Sequence, residues 1–280
     1  MPIDAKRGRA VFQKLEQDLI KLTSKPRAEN VHGFRTGTRR LQILLGELSP
    51  KLNRSQKKLL KLLGRVRRRA GKVRDLDVQL AALRSLKVAH EPRRKTQLIN
   101  QLIELRGRQE KKLKKAVEQD TVREIRKRLE RAAKNFDAEK GRDPLTVARG
   151  ILKRIDGAAP VSEPLLHQYR ILSKRARYAA EFAANSGEAQ QFIAQLKRIQ
   201  DALGDWHDWL TLTQTANKDL GDVRESAMVA ELHNVTGAKF RHAVSLLSQL
   251  RSGLAATQAP AAPAPARAPA KVARKAASAA

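Results

Sequence analysis

The chain has 280 residues, 41% of them hydrophobic, no cysteine, and 58 Lys and Arg against 28 Asp and Glu, a formal net charge of +30. The composition excludes wholesale disorder, a disulfide framework and a thiolate metal site, and so large a cationic excess points to a polyanionic partner: nucleic acid, inorganic polyphosphate or an anionic membrane surface. No stretch approaches the roughly 20 apolar residues of a transmembrane helix, and the N-terminal MPIDAKRGRAVFQKLEQDLIKL is an amphipathic pattern without a signal-type apolar core, so the expectation is a cytoplasmic protein with no membrane partner.

In chain order, apolar residues recur at three- and four-residue spacing, and nothing alternates with period two. The pattern predicts an all-α fold. Helices are expected near 4–23, 29–48, 51–70, 75–87, 92–118, 120–135, 144–156, 162–185, 188–203, 206–219 and 223–253. Pro50, Pro92, Pro144 and Pro164 stand at or near first turns, where the missing amide donor is harmless. Breaks are placed at Gly71 and Gly204, so that Asp75, Asp77, Asp205 and Asp208 stand where helices begin and read equally as N-caps or as functional residues. Trp206 and Trp209 are read as core. Residues 255–280 hold fourteen Ala, four Pro, four basic residues and no acid. They are expected to form a disordered arm, either a solubilising tail or a segment able to touch DNA.

The chain repeats itself. VHGFRTGTRRL (31–41) and LHQYRILSKRA (166–176) share apolar-His-x-aromatic-Arg-x-x-x-basic-Arg, and LGRVRRRAGKVRDLD (63–77) aligns with LKRIQDALGDWHDWL (196–210), placing Gly71 against Gly204 and Asp75 against Asp208. His32 precedes Gly71 by 39 residues, and His167 precedes Gly204 by 37. Two related helical halves, about 1–140 and 141–254, follow, packed about a pseudo-twofold axis.

Positions i, i+3 and i+7 of a helix share a face, so His32, Arg35 and Arg39 form one row, with Arg40 at its margin. The row borders a core stripe at 31, 34, 38, 41, 45 and 48. His167, Arg170, Lys174 and Arg177 repeat the arrangement beside a stripe at 166, 169, 173, 176, 180 and 183. Rows that border a core line grooves between helices. Farther on, Leu59, Leu63, Val66, Ala70 and Val73 make a buried stripe, and Lys57, Lys61, Arg65, Arg68 and Lys72 a solvated outer face. Arg67 and Arg74 stand at the stripe's edge, where a guanidinium needs a partner: an anionic ligand, or a carboxylate such as Asp75 or Asp77. The second half carries Gln200 and His207 at these positions. His32 and His167 are either buried structural histidines or ligands of an anion. His90, His233 and His242 lack ligands at metal spacing, and neither a phosphate loop nor an acidic cluster marks an enzyme.

Taken together, VHGFRTGTRRL, RAGKVRDLDV, LHQYRILSKRARYAAEF and LKRIQDALGDWHDW resemble the CHAD family, the conserved-histidine α-helical domain, over roughly residues 5–253. The resemblance implies two four-helix bundles in pseudo-twofold arrangement with a central basic surface that binds inorganic polyphosphate, and a cytoplasmic protein, in some members bound to polyphosphate granules. Position by position it points to His32, Arg35, Arg39, Arg40, His167, Arg170, Lys174 and Arg175. Some members carry a triphosphate-hydrolysing tunnel domain with an ExExK signature; this sequence has no ExExK and reads as a stand-alone CHAD protein with no cofactor. The full set of expected contacts adds Arg67, Arg74, Arg177 and His207. The competing readings are sequence-independent nucleic-acid binding and an accessory role to a phosphohydrolase.

Overall fold

The structure, a computed structural model, describes residues 3–49, 51–87, 91–155, 160–183, 186–221, 224 and 226–258, with side chains to residue 249. Among these residues there are helices and no strands. They are α1 (Ala5–Ser24), α2 (Ala28–Ile43), α3 (Arg54–Ser85), α4 (Pro92–Ala116), α5 (Gln119–Lys134), α6 (Pro144–Leu152), α7 (Glu163–Ala180), α8 (Gly187–Leu220) and α9 (Ala227–Gln258). A π-helical turn, Leu44–Leu48, prolongs α2, and a 3-10 turn, Glu181–Ala183, prolongs α7.

The order of packing repeats with the sequence. In the first half α1 packs on α2, α2 on α3 and α3 on α4; in the second α6 packs on α7, α7 on α8 and α8 on α9. α5 has no counterpart and lies against α1 and α3. The halves meet where α2 faces α7 and α3 faces α8. Every position of the three predicted stripes is buried, from Val31 and Phe34 to Leu48, from Leu166 and Tyr169 to Ala183, and from Leu59 to Val73. Each such Leu removes about 1.5–3 kcal/mol worth of apolar surface from water. The main core runs through both halves, and a second cluster joins the far ends of α3 and α4 to those of α8 and α9 through Leu80, Leu83, Leu98, Leu212, Met228 and Leu232.

Two predicted breaks are absent. α3 runs through Gly71 and α8 through Gly204 without interruption. A mid-helix glycine costs about 1 kcal/mol relative to alanine, and the buried Val66, Ala70 and Val73 on one side, with Leu76 and Leu80 on the other, outweigh it. The true start of α3 is Asn53, whose side chain accepts from Gln56 N while Gln56 accepts from Asn53 N, a reciprocal cap. Asp75, Asp77, Asp205 and Asp208 are therefore mid-helix residues and not caps. Prolines open α4 and α6 and occupy the first turn of α7 as expected; Pro50 lies outside the described residues. Trp206 is buried against Phe240, with Trp209 half-buried beside the second cluster. α9 extends to Gln258, four residues into the expected arm, and residues 259–280 lie outside the described part.

α2 approaches α1 closely because two of its residues lack side chains. A Cβ on Gly33 would stand 3.3 Å from the Asp18 carboxylate, and one on Gly37 would stand 3.2 Å from Leu15 Cδ1. That contact fixes the face α2 turns towards α7.

Candidate anion-binding site

The helix periodicity that buries Val31, Phe34 and Leu41 turns His32, Arg35 and Arg39 to one side of α2, and α7 does the same with His167, Arg170 and Lys174. α3 adds Arg67 and Arg74, and α8 adds His207. Arg35, Arg39, Arg67, Arg74, Arg170, Lys174 and His207 are all half-buried, whereas His32 and His167 are exposed. The exposure of both rings removes the reading of buried structural histidines.

The rows converge across the interface. Burial, then the positive charge of Arg170 and Arg39, pushes the Lys174 ammonium down to about 8, with Arg35 also contributing. Desolvation, then Arg74, Arg35 and Lys174, lowers the pKa of His32. Burial, Arg170, His167 and Lys174 push His207 down to about 4, and its ring centroid is 5.4 Å from that of His167. Burial likewise lowers the pKa of Arg67, with Arg39, Arg35 and Arg68 adding to it. Groups from α2, α3, α7 and α8 thus share one electrostatic environment, in which burial and neighbouring positive charge disfavour the charged forms of Lys174, His32, His207 and Arg67.

Two carboxylates answer this charge, and the repeat relates them. Arg35 Nη1 lies 3.3 Å from Asp75 Oδ1, and Arg170 Nη2 lies 3.9 Å from Asp208 Oδ1. Burial raises the pKa of Asp208 against the pull of Arg170 and Lys174. Neither carboxylate partners Arg67 or Arg74, and Asp77 is held by Arg106 at 2.7 Å. The sequence left open whether those two arginines meet an acid or a ligand; neither forms an ion pair with an acid among the described residues, although the charge of Arg74 is felt at Asp208. Arg67 Nε, Arg170 Nε and His207 Nδ1 are buried donors or acceptors without a hydrogen-bond partner, where an unpaired polar group costs roughly 1–3 kcal/mol.

Three predicted residues are engaged elsewhere. Arg40 Nε donates to Glu181 Oε2 at 2.7 Å, and Arg175 pairs with Glu47, which Arg154 also approaches at 3.5 Å. Glu47 ends α2 and Glu181 ends α7, so the two pairs are reciprocal bolts between the halves. Arg177 joins Glu181 at 3.1 Å and donates to Gln200 Oε1 at 2.7 Å, while Gln200 Nε2 donates to the Ser173 carbonyl. Arg40 and Arg177 also flank the Tyr178 ring, at 5.7 and 5.0 Å from its centroid. Arg175 belongs to the interface, and Arg40 and Arg177 border the cluster.

On one side the cluster opens into a cleft of about 1210 Å³ between α1, α2, α7, α8 and α9, walled by His32, Arg40, Lys174, Arg177, Arg198 and Lys239 among others. Residues of α1 and α9 were not legible as site residues, because their alignment with α2 and α8 comes from tertiary packing. Asp205 on this wall pairs with Lys239 at 2.7 Å. No group of three or more potential metal ligands occurs among the described residues.

Residues 7–217 match the family model of the CHAD domain. The chain belongs to the CHAD family. Among solved structures it is similar to the CHAD domain from the plant Ricinus communis, at 20% identity and a TM-score of 0.63, over 89% of each chain. It is similar also to PptA from Streptomyces chartreusis, at 17% identity and a TM-score of 0.60, over 92% of this chain and all of that one. No curated protein sequence matches this CHAD protein.

Proposed function

We propose that this CHAD protein binds inorganic polyphosphate in the cluster formed by α2, α3, α7 and α8, and that through this contact it associates with polyphosphate granules in the cytoplasm. The observation that carries the reading is the imbalance of the cluster: half-buried cations from both halves converge on two carboxylates, and donors of Arg67 and Arg170 stay unpaired. A phosphate chain offers oxygen acceptors at every unit and nothing else, which suits guanidinium forks and an ammonium. A thin polymer reaches groups half-buried between helices, whereas a duplex engages cations that stand proud of a surface. Base stacking finds no platform here, since Trp206 and Tyr178 are both buried. Asp75 and Asp208 face arginines, an arrangement that orients the guanidiniums for an anion. The function is binding.

Competition between long-chain polyphosphate and duplex DNA at physiological salt tests this. Polyphosphate is expected to displace DNA at far lower phosphate concentration, orthophosphate to compete poorly, and affinity to fall steeply with salt. DNA displacing polyphosphate phosphate for phosphate overturns the reading in favour of nucleic-acid binding.

A further inference from the structure

We infer that a polyphosphate chain longer than the central cluster leaves it over the outer face of α3, along Lys72, Arg68, Arg65, Lys61 and Lys57, and not over α8. The inference rests on the proposed function and gives the site a direction.

Continuity is the first observation. α3 presents Arg67 to the cluster and Arg68 beside it, and the charge of Arg68 is felt at Arg67. Two glycines open the groove between α2 and α3. The Arg35 guanidinium lies over Gly71, 4.0 Å from where a Cβ would stand, and Arg68 Nη1 and Gln42 Nε2 lie 3.8 and 4.0 Å from the corresponding point on Gly64. From Arg68 the row continues towards the N-terminus of α3 for about 16 Å, at 1.5 Å per residue.

The second observation is the want of counter-charge. All five residues are exposed, and none enters an ion pair among the described residues, although neighbouring Lys58 and Arg128 share Glu124. α3 has no acid in its first turn and none before Asp75. Lys57 stands near the positive end of the helix dipole, where a cation is unfavourable.

The third observation is the contrast with α8. The repeat aligns Lys57, Lys61, Arg65, Arg68 and Lys72 with Gln190, Ala194, Arg198, Asp201 and Asp205. The same face is a cationic rail on one helix and nearly neutral on the other, with its two acids on the wall of the cleft. A polyanion emerging on that side meets carboxylates set among the cations of the cleft wall, Asp205 paired with Lys239, and no unbroken cationic row along α8.

The test compares Lys57→Gln, Lys61→Gln, Arg65→Gln with a control on α4, Lys111→Gln, Lys112→Gln, Lys115→Gln, which removes the same charge from an exposed face elsewhere. Gln keeps helix propensity, and circular dichroism checks the fold. For long-chain polyphosphate the α3 variant is expected to lose on the order of tenfold in affinity and about two units of salt slope, as three lost contacts to a single strand require. Its affinity for tripolyphosphate should match wild type, and the α4 control should bind both ligands nearly as wild type does. Amine labelling of the wild-type protein provides an independent measure: Lys57 and Lys61 are protected by the long chain and not by tripolyphosphate. Equal losses in both variants, or no protection at Lys57 and Lys61, overturn the rail while leaving the central site standing. Wild-type protein that binds neither ligand overturns the proposed function itself.

Discussion

The two halves share a frame and differ in charge. Arg35 and Arg170 hold equivalent aspartates, and Glu47 and Glu181 receive equivalent arginines from the opposite half. Around this frame α3 offers Arg67 and Arg74 where α8 offers Gln200 and His207. Gln200 is buried and bonded to Ser173 and Arg177, so that position in the second half is structural. Its counterpart Arg67 keeps an unpaired Nε. The repeat holds two copies of each position, and at this one the second-half copy serves packing while the first-half copy keeps a charge with an unpaired donor. The comparison teaches that the sequence repeat marks the geometry of the site, and that the deviations from it mark the division of labour.

The most severe way to break the comparison is charge reversal in each row. Arg35→Glu with Arg39→Glu, and Arg170→Glu with Lys174→Glu, are each expected to lower long-chain affinity about a hundredfold or more, since two charges change sign at the point of contact, a net change of four units. The second-half variant should retain more residual binding, because Arg67, Arg74 and the outer face of α3 remain. Titration of one long chain against both variants decides it. A first-half variant that binds like wild type ends the claim that α2 and α3 dominate.

Lys174 sharpens the comparison on its own. Lys174→Met should weaken binding about tenfold and at the same time raise the melting temperature, because a desolvated ammonium among Arg170 and Arg39 is removed. The sign follows from linkage. With a folded value of about 8 below an ordinary 10.5, the unfolded chain holds more protons between these values, so wild-type stability rises with pH across that window and the full penalty stands below about pH 8. The Met variant should lose this rise. Thermal melts at pH 7 and pH 9.5 measure it, and an unchanged pH dependence would remove Lys174 from the crowded cluster.

How much of this was legible follows from which residues report on themselves. The helical stripes could be read because a side chain's burial is set by its own helix's period, and the matched His-x-x-Arg rows because duplication wrote them twice. Gly71 and Gly204 misled: local propensity reads glycine as a break, whereas the packing of Ala70, Val73 and Leu203 carries the helices through. With them went the capping alternative for Asp75 and Asp208, which stand mid-helix as the partners of Arg35 and Arg170. Arg175 matches the family motif in sequence, but its partner Glu47 lies 128 residues away, and no local pattern encodes that pairing. His90 lies outside the described residues.

A milder perturbation tests the shared frame. Glu181→Gln removes the acceptor of Arg40 and Arg177, and Glu47→Gln that of Arg175 and Arg154. Each is expected to cost about 1 kcal/mol, at the upper end for partly exposed pairs because two arginines share each acid, or about 2–4 °C in a protein of this size. Binding at low temperature should stay close to wild type. Calorimetric melts giving a loss for one variant and none for the other would show that the bolts are not equivalent.

The smallest effect separates Arg74 from its counterpart His207. Arg74 brings a guanidinium, whereas His207 in the free protein titrates at about 4 because burial, Arg170, His167 and Lys174 all oppose its proton. A bound phosphate favours the protonated ring, so binding raises that pKa, and affinity must increase as pH falls from the bound value towards 4. His32 is lowered in the same way and adds in the same direction. Wild-type affinity for long-chain polyphosphate is therefore expected to rise a few-fold between pH 7 and pH 5, in the range one new charge-assisted hydrogen bond supplies. His207→Arg copies the first half into the second: it should bind more tightly at pH 7 and show a flatter pH profile. His32→Gln in the same background should flatten it further. A profile in His207→Arg as steep as that of wild type would take the pH response away from His207, which would then contribute shape to the groove and not charge.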